Sequence, residues 1–189
     1  MTPTAPSWDQ LQQVHELNRL FLTYLQIRAR DERDCLGLPE GVRSVLRKTS
    51  SETLAQIGDF PRALFDLKLD DCAVPQVRDP LPRRDDAARH SLCLTILVCA
   101  RSLSRQSTYQ ARLLLGLETR SIQRLRSMQL GDLQQLAHIP QLVLCAFAGR
   151  DWLWNELLSD PRPEARRQLA LIALQPGLAR DWPRRASRL

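Results

Sequence analysis

Residues 115–140 read LGLETRSIQRLRSMQLGDLQQLAHIP, and residues 36–61 read LGLPEGVRSVLRKTSSETLAQIGDFP. A shift of 79 positions, which brings Leu36 onto Leu115, aligns the two stretches without a gap. Most shared positions are apolar or turn residues, so the repeat is one of core positions and chain breaks rather than of a catalytic constellation. Because a solenoid needs about three or more repeats, we expect a pseudo-dimer within one chain. The identical pairs are Leu36/Leu115, Gly37/Gly116, Leu38/Leu117, Leu46/Leu125, Arg47/Arg126, Leu54/Leu133, Gln56/Gln135 and Pro61/Pro140.

The composition indicates a folded, helical protein. Apolar residues make up 43% of the 189 residues and charged residues 25%, which is ordinary for a globular chain. Aromatic residues are scarce at 5%, and leucine dominates the apolar set, which favours helices over a sandwich or barrel. We therefore expect an all-α fold of two helical units in a pseudo-two-fold arrangement, followed by a C-terminal amphipathic helix.

The charge is basic, and it is carried almost entirely by arginine. The formal net charge is +6, and Lys48 and Lys68 are the only lysines. Such a balance is compatible with nucleic-acid binding, but an arginine bias also arises from coding preference in a GC-rich genome. Basicity alone therefore leaves the function open.

The five cysteines and the absence of a targeting pattern indicate the compartment. The cysteines are odd in number, scattered and without a CxxC pair, which argues against a zinc site and a secreted disulfide framework. No N-terminal stretch has a signal layout, and the apolar runs, such as residues 93–100, are far too short for a membrane span. We expect a soluble, cytoplasmic protein with no membrane segment.

The first unit is expected over residues 8–72. Ser7 and Gln10 form a capping-box pattern that predicts a helix over about 8–34, and Pro39 and Ser50 or Ser51 can open two shorter helices. Residues 63–69, ALFDLKL, suit either a helix or a strand by their alternation. The predicted inward positions of the three helices are Leu11, Val14, Leu17, Leu20, Phe21, Tyr24, Leu25, Ile27, Arg28, Val42, Val45, Leu46, Leu54 and Ile57.

A proline-rich linker is expected over residues 73–86, followed by the second unit over residues 87–160. Its first helix, over about 88–113 with Asp85 as a cap, is apolar almost all round near its middle, so we expect burial on most sides. Helices near 118–127 and 130–138 and apolar segments at 141–147 and 151–158 follow. Residues 161–189 are expected to be a C-terminal helix over 163–175, between Pro163 and Pro176, and a basic tail.

The sequence contains no enzymatic constellation. His15, His90 and His138 are widely spaced, with no metal-ligand spacing among them, and are expected to be surface or helix-end histidines. The glycines are isolated, so no phosphate-binding loop is present. We predict no enzyme activity, no catalytic residue, no metal and no cofactor.

One local pattern points to nucleic acid. A helix carrying Ala111 and Leu113 meets a turn at Gly116, and Ile122 and Leu125 follow at the spacing of a helix-turn-helix. Their burial would leave one polar face outside, with side chains suited to phosphates and base edges. An ordinary helical corner with a solvated face remains the competing interpretation. The predicted DNA-binding residues are Arg120, Gln123, Arg124 and Arg126.

These residues resemble the FlhD subunit of the FlhD/FlhC flagellar master transcriptional activator. The family outline of an apolar helix, LG[IL], a leucine, L-x-x-L-A, Q-L-V and an aromatic recurs in the second unit, and the helix from Leu92 through Ala111 fits without a gap. The first unit is similar at Val14-His15-Glu16-Leu17-Asn18, at its own LGL and at 65–71. The matching residues of the second unit are Leu115, Gly116, Leu117, Leu125, Leu133, Leu136, Ala137, Gln141, Leu142, Val143 and Phe147.

The resemblance implies a helical fold, dimerisation through the first helix, a complex with an FlhC subunit and activation of promoters by recruiting RNA polymerase. A tandem chain departs from the family, which normally has one unit per chain. The zinc site of the FlhC subunit has no counterpart in this chain, so a zinc-bearing partner would be a separate protein.

The sequence therefore leaves two alternative functions. The first is a bacterial transcriptional activator of the FlhD type that binds promoter DNA within a homo- or hetero-oligomer. The second is a helical protein–protein adaptor or anti-activator that uses the same fold without touching DNA. Charge-removing changes at Arg120 and Arg124 separate them, because phosphate contacts make affinity steeply dependent on salt.

Overall fold

A computed structural model describes residues 6–69, 87–147, 149–159 and 162–173, and within these ranges the regular secondary structure is helical apart from one short two-stranded ribbon. The prediction of an all-α fold is thus confirmed. In chain order the helices are α1 (Trp8–Arg30), α2 (Glu40–Lys48), α3 (Ser51–Gly58), α4 (Ala87–Gln106), α5 (Thr108–Leu115), α6 (Thr119–Ser127), α7 (Leu130–Leu136), α8 (Asp151–Ser159) and α9 (Pro163–Ala173). The strands are β1 (Phe65–Leu67) and β2 (Val143–Cys145).

Helix α1 begins at the predicted cap and ends four residues before the predicted position. The Ser7 side chain accepts from the Gln10 backbone, and the Gln10 side chain accepts in return from the Ser7 backbone, which is a capping box. The helix ends at Arg30 because Glu32 adopts a left-handed backbone with φ of 56°. Residues 31–34 are exposed, in agreement with a solvated charged end.

The buried face of α1 is displaced around the helix from the expected one, and it includes Asn18 and Leu22, which were not predicted to face inward. Val14, Phe21 and Leu25 are fully buried, whereas Leu20 and Ile27 are about half exposed, at 51% and 54%. The same error affects α2, where Val42 and Leu46 are buried and Val45 is 41% exposed. These three positions were wrongly predicted to face inward, because the neighbouring helices of the described chain cover other sides of α1 and α2. Each fully buried Leu or Phe contributes roughly 1.5–3 kcal/mol to folding.

The second long helix is broken where an unbroken helix over 88–113 was predicted. Ser107 has an extended backbone, and its side chain accepts from the Gln110 backbone N–H, so it ends α4 and caps α5. Leu97 and Ala100 are fully buried, but Val98 is 42% exposed. The middle of α4 is therefore buried on one side and not on most sides.

Both LGL turns use a left-handed glycine. Gly116 has φ of 69° and Gly37 has φ of 82°, a region that costs other residues about 1–2 kcal/mol. The turn after α5 lets α6 fold back against both α4 and α5. The predicted helices at 118–127 and 130–138 are confirmed as α6 and α7.

Strands β1 and β2 pair in an antiparallel ribbon with Phe65 opposite Cys145 and Leu67 opposite Val143. Matching backbone bonds flank it: Lys68 donates to the Leu142 carbonyl at 2.8 Å, and Ala146 donates to the Leu64 carbonyl at 2.9 Å. The segment left open between helix and strand is thus a strand, because its edge finds a partner far along the chain.

The elements recur at the spacing of the sequence repeat. Helices α2 and α6 are both nine residues long and begin 79 positions apart, at Glu40 and Thr119. Helix α1 contacts α2 and α3, and α4 contacts the corresponding α6 and α7. Each long helix thus packs against the two short helices that follow an LGL turn. The superposition of residues 10–72 on 88–152 about a two-fold axis stays a prediction.

The C-terminal helices pack on the body. In α8, Trp154 is 1% exposed, and its indole N–H donates to the Ala146 carbonyl at 3.0 Å. Helix α8 contacts α2 and α3, and α9 lies against α8. The predicted helix from Pro163 is confirmed up to Ala173. The linker over 73–86 with the Asp85 cap, the stop at Pro176 and the basic tail lie outside the described residues, and no described helix is long and apolar enough to cross a membrane.

Candidate nucleic-acid interface

Helix α6 has one fully buried side and one polar side, as its spacing predicts. Ile122 and Leu125 have no exposed surface, and they lie against α4 and α5 through the contacts of α6 with both helices. Burial of two β- and γ-branched side chains fixes the rotation of this helix about its axis. The remaining side chains are therefore presented at defined angles around it.

Arg120 and Gln123 lie on the exposed side of α6. Arg120 follows the first residue of the helix, and Gln123 comes three residues later, so the two side chains share one face. An arginine and a glutamine in this relation can donate to phosphate oxygens and pair with base edges. The structure brings these two predicted residues together at the surface.

Arg124 was predicted to face outward, and the structure corrects this prediction. Its side chain is half-buried, and its Nη1 donates to the backbone carbonyl of Leu69, just after β1. This bond joins α6 to the first half of the chain. Arg124 therefore has a structural contact that a solvated or DNA-facing arginine would not need, and the sequence held no sign of it because Leu69 is 55 positions away.

Arg126 is exposed but is drawn toward the preceding helices. Its guanidinium donates to Thr108 Oγ1 at 3.4 Å, and its backbone carbonyl accepts from Arg105 at 3.4 Å. These long, exposed bonds contribute little to stability. Arg126 thus lies at the edge of the face that Arg120 and Gln123 form.

The corresponding helix of the first half, α2, lacks this arrangement. The position that matches Ile122 is Arg43, which is half-buried and donates to the Leu38 carbonyl at 2.7 Å. Arg43 also pairs with Glu40 at 3.2 Å. Arg43 therefore stabilises the turn at the start of α2, which accounts for the weaker helix-turn-helix pattern in the first half.

A groove beside the start of α6 contains two arginines that sequence reasoning did not single out. The groove measures about 720 Å³ and is lined by Arg62, Tyr109, Arg112, Leu113, Gly116, Leu117, Glu118, Thr119 and Arg120. Arg62 comes from the segment before β1, so only the folded chain places it here. Arg112 faces solvent on the last turn of α5, and its helical spacing to Gly116 was the one signal available in the sequence.

Within the described ranges, the histidines and cysteines form no arrangement suited to catalysis. His90 and His138 stack at 4.1 Å between ring centroids, and His15 lies 3.9 Å from Asp59. Burial lowers the pKa of His138 and of His15. The described cysteines, Cys35, Cys93, Cys99 and Cys145, are free thiols, and burial raises the pKa of Cys93 to about 11.

One comparison with known proteins bears on this site. No curated protein and no solved structure matches the chain. Residues 89–177 match the family model described as flagellar transcriptional activator (FlhD). The matched residues begin within α4 and include α5, α6, α7, β2, α8 and α9. The match therefore supports a relation between the second half of this chain and FlhD, a family of transcriptional regulators and not of enzymes.

Proposed function

We propose that this protein is a bacterial transcriptional activator of the FlhD type that contacts promoter DNA through the exposed face of α6. The observation that carries the proposal is the placement of Arg120 and Gln123 opposite the fully buried Ile122 and Leu125. The match of residues 89–177 to a family of transcriptional activators supports it independently. A helix whose rotation is fixed by its core side can hold polar side chains against a groove at little entropic cost.

The proposal includes a partner. In the matched family, promoter binding is the property of a complex, so we expect an FlhC-like, zinc-bearing subunit in a hetero-oligomer and recruitment of RNA polymerase in the cytoplasm. We further propose that the two halves of this chain are two FlhD-like units. The equal lengths and spacing of α2 and α6 and the symmetric ribbon bonds support this interpretation.

The test uses the complex that co-purifies with the tagged full-length chain from native cells. Subunits are identified by mass spectrometry, and binding to labelled duplexes of candidate promoters is followed by fluorescence anisotropy over a range of salt concentrations. The double variant Arg120→Ala/Gln123→Ala should bind more weakly, with a salt slope lower by roughly one unit for the lost phosphate contact. Loss of a base contact should reduce discrimination between promoter and random sequence by about 1–3 kcal/mol.

A matched control removes the same two side-chain types elsewhere. Arg30 and Gln134 are exposed on α1 and α7 and do not belong to α6, so the variant Arg30→Ala/Gln134→Ala should bind as the wild type does. Arg124→Ala is expected to lower stability through loss of the bond to Leu69, so it is compared separately. If the α6 variant keeps wild-type affinity and salt dependence, α6 does not contact DNA, and the adaptor or anti-activator function is favoured.

A further inference from the structure

The groove of about 720 Å³ between Arg62, α5 and the start of α6, which we call the Arg62 groove, holds an excess of positive charge. Arg62, Arg112 and Arg120 line it, and among the residues that the structure describes Glu118 is the one acidic residue of the lining. We propose that the Arg62 groove binds a phosphate of the DNA backbone next to the base pairs that α6 contacts. The proposal rests on the proposed function and adds a contact from the first half of the chain.

Arg62 is held in place before any ligand arrives. Its backbone carbonyl accepts from Asn18 Nδ2 at 2.9 Å, and the next residue, Ala63, donates to the Leu114 carbonyl at 2.8 Å. Its guanidinium lies 5.8 Å from the ring centroid of Phe147 and against Gly116. Little side-chain freedom therefore remains to be lost when an anion binds.

The half-buried state of Arg62 strengthens its attraction for an anion. Burial lowers the pKa of this guanidinium, although the Asp66 carboxylate acts in the opposite direction. An arginine stays charged despite such a shift. A partly desolvated cation interacts more strongly with a phosphate than a fully hydrated one, because less water screens the pair.

The start of α6 adds donors to the groove. Thr119 is the first residue of α6, and Glu118 before it makes no side-chain hydrogen bond to the backbone N–H groups of the first turn. These N–H groups and the positive end of the helix dipole favour an anion at this point. The exposed Arg112 and Arg120 provide two further cationic donors on the same groove.

The shape of the groove favours a nucleic-acid backbone over a small free anion. Tyr109, which is 49% exposed, and Leu113 give it apolar walls that suit sugar rings beside a phosphate. Arg120 belongs both to the groove and to the exposed face of α6, so a strand that reaches the face of α6 can continue along the groove. A free phosphate would leave most of this volume unused.

The experiment measures DNA affinity and its salt dependence with the co-purified complex and a fluorescein-labelled duplex. The variants are Arg62→Gln and Arg112→Gln. The control variant, Arg30→Gln, also removes one positive charge, at an exposed position on α1. Each groove variant should lower the salt slope by about one unit and weaken binding roughly five- to tenfold at about 0.1 M salt. Arg112→Gln changes an exposed residue and keeps the test valid where Arg62→Gln impairs folding.

A second experiment measures the binding of inorganic phosphate to the same proteins by titration at constant ionic strength. If both groove variants bind DNA as the wild type does while the Arg120→Ala/Gln123→Ala variant binds more weakly, the proposed phosphate contact in the groove is overturned. The proposed function is then left intact. Absence of DNA binding by the wild-type complex overturns both. Phosphate binding that depends on Arg112, without any change in DNA affinity, shows a free-anion site and also overturns the proposal.

Discussion

The side-chain carbonyl of Asn18 accepts the backbone N–H of Leu64 at 2.9 Å, across 46 positions of the sequence. The amide nitrogen of Asn18 donates to the carbonyls of Phe60 and Arg62 at 3.1 and 2.9 Å. Asn18 is fully buried in the middle of α1. One side chain thus replaces the hydrogen bonds that the irregular segment between α3 and β1 cannot make with itself, and it also positions Arg62.

Replacing this asparagine should destabilise the fold. Asn18→Leu keeps the number and branching of the side-chain heavy atoms but removes the partner of the Leu64 N–H and of the Phe60 and Arg62 carbonyls, so the free energy of unfolding should fall by about 2–4 kcal/mol. Urea denaturation followed by circular dichroism measures the change. Thr23→Ala on the exposed side of α1 should stay within about 0.5 kcal/mol of the wild type. Equal stability of Asn18→Leu and the wild type would contradict this role.

Leu97 tests the core of the second half. It has no exposed surface on α4, and Leu97→Asp places an unpaired carboxylate there, which should cost about 3–5 kcal/mol and abolish folding or assembly. Thr95→Asp, two residues away on the exposed side of the same helix, should remain soluble and folded. Size-exclusion chromatography and thermal melting compare the two. A soluble Leu97→Asp variant with an unchanged melting temperature and oligomeric state would be inconsistent with this core.

Gly116 should tolerate no side chain, whereas Gly131 should. A Cβ at Gly116 would meet both a left-handed backbone and the Nη2 atom of Arg62, so Gly116→Ala should lower the free energy of unfolding by about 1–2 kcal/mol or more. A Cβ at Gly131 in α7 meets nothing within 4 Å. Gly131→Ala should therefore be neutral or stabilise the helix by up to about 1 kcal/mol. Urea denaturation measures the free energy of unfolding of both variants. A loss of stability in Gly131→Ala but not in Gly116→Ala would contradict this prediction.

The stability should decrease in mild acid because of His15. Burial lowers the pKa of His15 from its ordinary value of 6.5, and Arg19 and Arg166 lower it further, while Asp59 acts in the opposite direction. The unfolded chain therefore binds a proton that the folded chain resists, and the free energy of unfolding falls as the pH drops below 6.5.

His15→Gln should reduce that decrease. Urea denaturation of both proteins is compared between about pH 7.5 and about pH 5.5, since this interval contains the titration of an ordinary histidine. The loss of stability over the interval should be smaller in the variant than in the wild type. The same loss in both proteins would show that other groups, such as His138, whose pKa is also lowered, cause it.

The helices and their boundaries follow largely from local signals in the sequence. Ser7 with Gln10, Ser50 and Gly116 mark helix ends through bonds and backbone angles that involve only neighbouring residues, and all three act as predicted. The polar face of α6 is predictable for the same reason, because Ile122 and Leu125 define the opposite side by helical period alone. Ser107 was missed because one polar residue within an apolar helical pattern is a weak signal beside the periodicity.

The tertiary structure decided which sides of the helices are covered and which distant residues meet. Leu20, Ile27 and Val45 have the hydrophobicity of core residues, but the described neighbours leave them exposed. Hydrophobic periodicity gives the apolar stripe of a helix, yet the side that is buried depends on where the partner helices pack. The same holds for β1, which became a strand only because β2 lay beside it.

The repeat, the helical class and the buried side of α6 are thus properties of the sequence, since each depends on local spacing of apolar and turn residues. Three other features depend on the tertiary structure: the hydrogen bond from Arg124 to Leu69, the hydrogen bonds of Asn18 and the position of Arg62 in the groove beside α6. Each joins residues about 45–55 positions apart through bonds whose geometry exists only after the core has packed, because the chain entropy opposing such contacts is overcome by the burial of α1 and α4.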